Sequence, residues 1–278
     1  MDIMTEMLRH VPIDLKKKAK ESGSENISDY RQRQIDVMNE LPGTLEGYDC
    51  PICKNKGVIY TLEDGYECYR RCECMEIRNS IMRLKASGLE KMMEQNRLDN
   101  FVCRHPWQEN MKNKASDFLE RESDSWFFVG GQPGIGKTHI CTALAAGFLR
   151  KGQAVRYMLW KDESTKIKAL VNDQTYERII NPWKECTVLY IDDLFKTTMD
   201  EVTHKRKLPS DGDIKLAFEI INYRYNNHLK TIISSEHNID DMLSFDEALG
   251  SRIYERTKNY CISFSPDQKK NYRLYGKE

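Results

Sequence analysis

In the second half of the chain, short apolar runs alternate with longer stretches whose apolar residues return every three or four positions. Ser125-Trp126-Phe127-Phe128-Val129, Ala154–Trp160, Thr187–Ile191, Thr231–Ser235 and Tyr260–Phe264 are of the first kind. Their length and their β-branched and aromatic content predict strands covered on both faces. Between them, His139–Ala146 is rich in helix formers, and Asp162–Ile180 reads as a helix ended by Asn181-Pro182. Asp213–His228 sets Ile214, Ala217, Phe218, Ile221 and Tyr225 on one helical face, and Asp246–Arg256 is a further helix. Strands alternating with helices predict an α/β fold, a doubly wound parallel sheet with its ligand at the carboxyl ends of the strands.

The first half is patterned differently. Val58–Leu62 and Tyr66–Tyr69 are short strand-like runs on either side of Asp64-Gly65, a tight-turn dipeptide, and together predict a hairpin. Nearer the amino terminus, Met4, Met7, Leu8 and Val11 form a small apolar stripe at helical spacing, which could dock on a partner or tuck against the protein itself. The expected organisation is a helical segment over 1–45, a metal-binding hairpin over 46–80, a linker helix over 81–97 and a nucleotide-binding domain over 98–278.

Composition narrows the setting. Of 278 residues 40% are apolar and 31% charged, with a formal net charge of zero, so nucleic-acid contact would need a local patch. The first thirty residues carry acids and no continuous apolar stretch, and nowhere do eighteen apolar residues run together, which predicts neither a secretory signal nor a membrane span. Nine cysteines, an odd number, fit a reducing compartment, so the expected location is the cytoplasm.

Candidate chemistry begins at Gly131-Gln132-Pro133-Gly134-Ile135-Gly136-Lys137-Thr138, followed by His139. Every fixed position of the phosphate-binding pattern G-x-x-x-x-G-K-[ST] is present, in the strand–loop–helix setting that the pattern requires. Glycines let successive backbone N–H groups turn toward phosphate oxygens, and the helix N-terminus adds partial positive charge. Lys137 would reach the β- and γ-phosphates, and the Thr138 hydroxyl would join a Mg²⁺ shell. Fifty-five residues beyond Lys137, the run from Thr187 ends in Asp192-Asp193. In this Walker B arrangement Asp192 would hold Mg²⁺, directly or through water, and Asp193 would orient and deprotonate the attacking water. Ser235 or Glu236, at the end of the next strand, would contact that water.

Five cysteines crowd into Cys50–Cys74 as C-x2-C, fourteen residues, then C-x3-C-x-C. Cys50/Cys74 and Cys53/Cys72 share a midpoint just before the hairpin turn, so equal arms would bring both pairs together at its open end. Four converging thiolates suit tetrahedral Zn²⁺, and the preferred set is Cys50, Cys53, Cys72 and Cys74, with Cys68 able to replace Cys72.

On these motifs residues 98–278 resemble the AAA+ ATPases. The segment Leu249-Gly250-Ser251-Arg252-Ile253-Tyr254-Glu255-Arg256 is similar to the Ser-Arg box of the DnaC/DnaI-type helicase loaders and of the related IstB transposition ATPases. The resemblance implies that Arg252, with Arg256 in reserve, reaches the γ-phosphate of a neighbouring subunit. The chain departs from general AAA+ proteins in having only fourteen residues after Phe264, too few for a helical lid, and loaders look similarly short. It departs from related proteins too at Ser234-Ser235-Glu236, where they carry Asn after the Ser/Thr. Leu98-Asp99-Asn100-Phe101 resembles the segment that packs on the base in loaders, so Phe101 would serve adenine unless it is plain core.

A loader implies ATP/ADP and Mg²⁺ as ligands, an ATP-dependent homo-oligomer, and the replicative hexameric helicase and single-stranded DNA as partners. His204-Lys205-Arg206-Lys207, in the loop Phe195–Gly212, is the candidate strand contact, and Lys16-Lys17-Lys18 a weaker one. Zinc-binding amino-terminal modules occur in DnaI-like loaders, whereas IstB-type ATPases typically lack them. Other readings are an IstB-like transposition helper, a P-loop small-molecule kinase, and a zinc-tethered adaptor with a degenerate nucleotide site.

Overall fold

A computed structural model describes residues 27–198 and 207–275. The stripe at Met4–Val11, the triplet Lys16–Lys18 and the basic residues His204–Arg206 lie outside the described residues. The chain divides into two compact units, residues 1–81 and 82–278.

In the first unit α1 (Ile27–Glu40) precedes a hairpin of β1 (Val58–Glu63) and β2 (Tyr66–Arg71), paired antiparallel with Tyr60 opposite Tyr69. Asp64 and Gly65 both take left-handed conformations, φ +51° and +80°, the primed turn that matches strand twist. Helix α1 is fastened to β1 by the Asn39 side chain, which donates to the Tyr60 carbonyl (2.9 Å) and accepts from the Tyr60 N–H (3.0 Å). The unit ends within α2 (Cys74–Ala86).

Residues 81–97 do not form the single linker helix expected. Gly88, at φ +74°, ends α2 and starts α3 (Leu89–Gln95), whose Leu89 is buried. Residues 82–97 belong to the second unit, where Met93 and Leu98 pack on its core.

The second unit continues with α4 (Pro106–Glu120), β3 (Phe127–Gly130), α5 (Lys137–Arg150), β4 (Val155–Leu159), α6 (Trp160–Lys168), α7 (Tyr176–Glu185) and β5 (Val188–Leu194). After these come α8 (Asp211–Asn226), β6 (Lys230–Ser235), α9 (Ile239–Phe245), α10 (Glu247–Thr257), β7 (Cys261–Ser263) and α11 (Tyr272–Tyr275). All five strands are parallel, in the order β4-β5-β6-β3-β7. Successive residues of each strand face opposite sides, and both sides are filled. Phe128, Leu189, Ile191 and Ile233 enter one cluster with Trp160 and Ile220, while Phe127, Val129, Val188, Tyr190 and Ile232 enter the other with Ile140 and Leu144. The order brings the carboxyl ends of β5, β6 and β3 side by side.

Two helical expectations need correction. Asp162–Ile180 is two helices, because the chain turns over at 169–175, where Asp173 accepts from both the N–H (2.8 Å) and the hydroxyl (2.6 Å) of Thr175. Pro182 does not end the second helix but lies inside it. Its terminal carbonyls are met by Arg224, a fully buried guanidinium that donates to Trp183 (3.3 Å), Lys184 (3.0 Å) and Cys186 (2.8 Å). Arg224 also explains why α8 buries more than its apolar stripe. No helix among the described residues is long and apolar enough to cross a membrane.

Candidate functional site

At the carboxyl end of β3 the chain passes through Gly131, Gly134 and Gly136 at φ +139°, +87° and +91° before α5 begins at Lys137. These conformations need glycine, and close approach adds to the need. A Cβ on Gly136 would stand 2.8 Å from the Phe101 ring, and one on Gly134 would strike the Asn271 side chain at 2.0 Å. The loop borders a cavity of about 420 Å³ lined by Pro133–His139, Phe101, Asp193, Lys196 and Glu236. Met92, Asn96, Asn100, Tyr272 and Arg273 line it as well. Gly131 and Gln132 stand behind this wall. The Gln132 side-chain amide is clamped to the Asp267 backbone by two reciprocal bonds of 2.6 Å.

Lys137 is buried, and its ammonium donates to the carbonyls of Gly131 (2.7 Å) and Gln132 (2.9 Å). Burial lowers its pKa, opposed by the negative charges of Asp193 and Glu236. Thr138 and His139 also face the cavity. The His139 ring stands edge-on to Phe101 at 5.1 Å and bonds the Arg97 carbonyl (2.9 Å). Phe101 is thus both core and cavity wall, 7% exposed.

The two adjacent acids have different surroundings. Asp192 is buried, and both its oxygens already accept hydroxyls: Tyr190 (2.8 Å) and Ser234 (2.6 Å) on one, Tyr157 (3.0 Å) on the other. Burial, and then the Asp192 charge, raises the pKa of both tyrosines, so they stay protonated as donors. Asp192 does not line the cavity, whereas Asp193 does. Between Ile191 and Leu194 the register of β5 against β6 shifts, and Asp193 takes φ +55°. This turn swings its carboxylate to the cavity, where it pairs with Lys196. Lys196 also approaches Glu236, at 3.5 Å.

Of the two residues expected at the catalytic water, the structure brings only Glu236 to the cavity. Ser235 is fully buried, its hydroxyl donating to the Leu194 carbonyl (2.7 Å) and accepting from the His237 N–H (3.1 Å). That correction has a simple cause, since alternate residues at a strand end face opposite ways.

Arg252 does not line the cavity of its own chain. It lies on α10, where its guanidinium donates to the Ala248 carbonyl (2.7 Å) and rides over the Phe218 and Tyr225 rings at 5.2 and 5.6 Å. No carboxylate pairs with it among the described residues, because Glu255 accepts the Tyr225 hydroxyl instead (2.6 Å). Arg256, the reserve, is held by Asp124, the Tyr225 carbonyl and His228. Those bonds give it a structural task.

At the open end of the hairpin, the sulfurs of Cys50, Cys53, Cys72 and Cys74 lie within 4.8 Å of one another, all buried. Cys50 and Cys72 are 3.8 Å apart, Cys53 and Cys74 3.5 Å. A tetrahedron of thiolates about 2.3 Å from Zn²⁺ has sulfurs about 3.8 Å apart, so the group fits that ion. Cys68 stands apart on β2, opposite Thr61. Arg78 fixes the loop carrying the first pair, donating to the Tyr48 carbonyl (2.6 Å) and the Asn55 side chain (2.8 Å). Burial opposes ionisation of Cys53, but bonds from the Gly57 N–H and the neighbouring thiols bring it down to about 7. Burial pushes Cys74 up to about 12.

Sequence reasoning missed Lys196, Tyr272 and Arg273. The i,i+3 spacing of Asp193 and Lys196 was a usable signal. Nothing local announces Tyr272, which is held at the cavity by its N–H bond to the Gly134 carbonyl (2.9 Å).

Comparison with known proteins agrees with this geometry. The family described as IstB-like ATP binding protein matches residues 74–277. The phage-like element PBSX protein XkdC of Bacillus subtilis (strain 168) is 32% identical over 263 residues, 90% of this chain and 96% of that protein. The replicative helicase loader DnaC of Escherichia coli (strain K12) is 22% identical over 219 residues, 75% of this chain and 84% of its own length. Among solved structures, a DnaC helicase loader superposes with a TM-score of 0.51 at 25% identity, over 59% of this chain and 94% of that one. The sheet is the expected AAA+ one.

Proposed function

The chain belongs to the IstB-like ATP-binding protein family, and from that premise we propose that it is a helicase loader that hydrolyses ATP between subunits. The observation that carries the hydrolytic part is the convergence of Lys137, Thr138, Asp193 and Glu236 on one cavity at the ends of three adjacent strands. Lys137 would exchange the Gly131 and Gln132 carbonyls for β- and γ-phosphate oxygens, an even trade for a buried cation. Residues Gly134–Thr138 line the same space, where their backbone N–H groups would meet phosphate oxygens. Phe101 offers an apolar face for adenine.

Thr138 and Asp192 are the residues that would hold Mg²⁺, which supplies charge neutralisation on the phosphates. With both oxygens committed to hydroxyls, Asp192 would act through water. Asp193 orients the attacking water and takes its proton, and Glu236 borders the same position. Arg252, half-buried on α10 and unpaired with any acid among the described residues, is available to a neighbouring copy's γ-phosphate. Hydrolysis then depends on assembly, which makes ATP binding the signal for a homo-oligomer.

The four-cysteine cluster fits structural Zn²⁺, with all four positions taken by protein and none left for water. The helicase comes to this reading from the two DnaC likenesses, and single-stranded DNA is the partner that a loader role implies. Lys207, the described member of the basic run, would join the strand contact. An IstB-like transposition helper is the second reading, favoured by the family description itself. Copurification in ATP separates them: we expect a replicative hexameric helicase to be retained with ATP and lost with Lys137→Ala. Retention of a transposase alone would overturn the loader reading.

A further inference from the structure

Lys196 is not part of the phosphate-binding pattern, yet it lines the same cavity as Lys137. Its ammonium pairs with Asp193 and stands 3.5 Å from Glu236, the two acids that face the phosphate space. The backbone that delivers it is strained at two non-glycine positions, Asp193 at φ +55° and Phe195 at φ +59°. Such outliers persist only where surrounding structure over-determines them, and they cluster at functional sites. Here the determinant is visible. The Phe195 ring is buried edge-on between Trp160 (5.5 Å) and Phe245 (5.9 Å), and the Lys196 N–H closes the turn on the Asp193 carbonyl (2.9 Å). Anchoring Phe195 inward aims residue 196 at the cavity.

Electrostatics give the arrangement a purpose. Lys137 and Lys196 balance Asp193 and Glu236 beside the loop, and Arg273 adds a further positive charge to the cavity lining. A terminal phosphate brings more negative charge than either carboxylate, and Lys196 is 42% exposed on a flexible stem, free to move to it. Burial alone would lower the Lys196 pKa, but its two acids raise it, so it is held charged beside them.

We infer that Lys196 is a second phosphate-binding cation, which clamps Asp193 when the cavity holds no triphosphate and is drawn off it by the terminal phosphate. Transfer frees the carboxylate for the attacking water. A bond then forms between that water's oxygen and the γ-phosphorus, the bond to the β,γ-bridging oxygen breaks, the proton passes to Asp193, and ADP and phosphate leave. This use of Lys196 rests on the ATP reading above, and its own signature is preference for a triphosphate over a diphosphate.

The test is the affinity of the full-length chain for ATP and for ADP, each with Mg²⁺, in wild type, Lys196→Met and Lys196→Arg, together with steady-state turnover. Lys196→Met should weaken ATP binding about tenfold or more while ADP changes less than about twofold, since a lost charge-assisted contact falls only on the terminal phosphate. Lys196→Arg should restore the preference, which a merely structural role for the residue would not require. Equal changes for ATP and ADP, or none, would overturn the inference. Binding is read without turnover, so a wild type that binds ATP but never cleaves it would sink the ATPase reading and leave this arm intact.

Discussion

Phe127, Phe128, Ile232 and Ile233 in the sheet of the second unit are fully buried, whereas no residue of the hairpin strands β1 and β2 is. In the hairpin the buried atoms gather at one end, in four cysteines ringed by Tyr48, Ile59 and Met75. One unit is held by apolar area removed from water on both faces of a sheet. The other has too little such area, and its order is concentrated at a point where a metal would sit. The contrast teaches that the same chain uses two independent sources of cohesion, so either should be able to fail while the other holds.

Metal removal gives the largest expected effect. Structural Zn²⁺ contributes about 10–16 kcal/mol of apparent binding energy in small modules. Chelation, or Cys53→Ser, should therefore abolish the protected amides of β1 and β2 in hydrogen exchange while nucleotide binding by the second unit persists. Loss of both together would erase the distinction between the units.

A smaller effect is expected inside the sheet unit. Arg224→Met keeps the length of the side chain but orphans the carbonyls of Trp183, Lys184, Cys186 and Lys230. Each buried acceptor left without a donor costs about 1–3 kcal/mol, so denaturant melts should show a loss of at least about 3 kcal/mol in the second unit. The metal cluster should remain unaffected, and zinc content should stay at one ion per chain, roughly, for a four-thiolate site.

The two regions also differed in how far they could be read ahead of the fold. In the hairpin, turn chemistry and thiol spacing are local, and the four cysteines meet where equal arms would bring them. Strands of the sheet were legible because burial on both faces leaves unbroken apolar runs. Pro182 misled, because a helix that has Arg224 placed to donate to its last carbonyls tolerates an internal proline. Ser235 misled through strand alternation. The hydroxyls around Asp192 come from Tyr157, Tyr190 and Ser234, on three strands, and no spacing along the chain forecasts that meeting. The spacing of Asp193 and Lys196 hinted at their pairing, but the left-handed turn at Asp193 and Phe195 that brings both to the cavity is announced by no residue type there.

The central claim is that a triphosphate cradled by one copy is cleaved with the help of Arg252 from another. Mixing two full-length variants tests it most directly, Lys137→Ala lacking the phosphate lysine and Arg252→Ala lacking the guanidinium. Each alone should lose about a thousandfold in ATP turnover with helicase and single-stranded DNA present, the scale of a missing arginine finger. Mixed, they should recover activity, because intact loops then meet intact arginines at shared interfaces. An unchanged rate for Arg252→Ala alone, or a mixture as inert as its parts, would contradict the account.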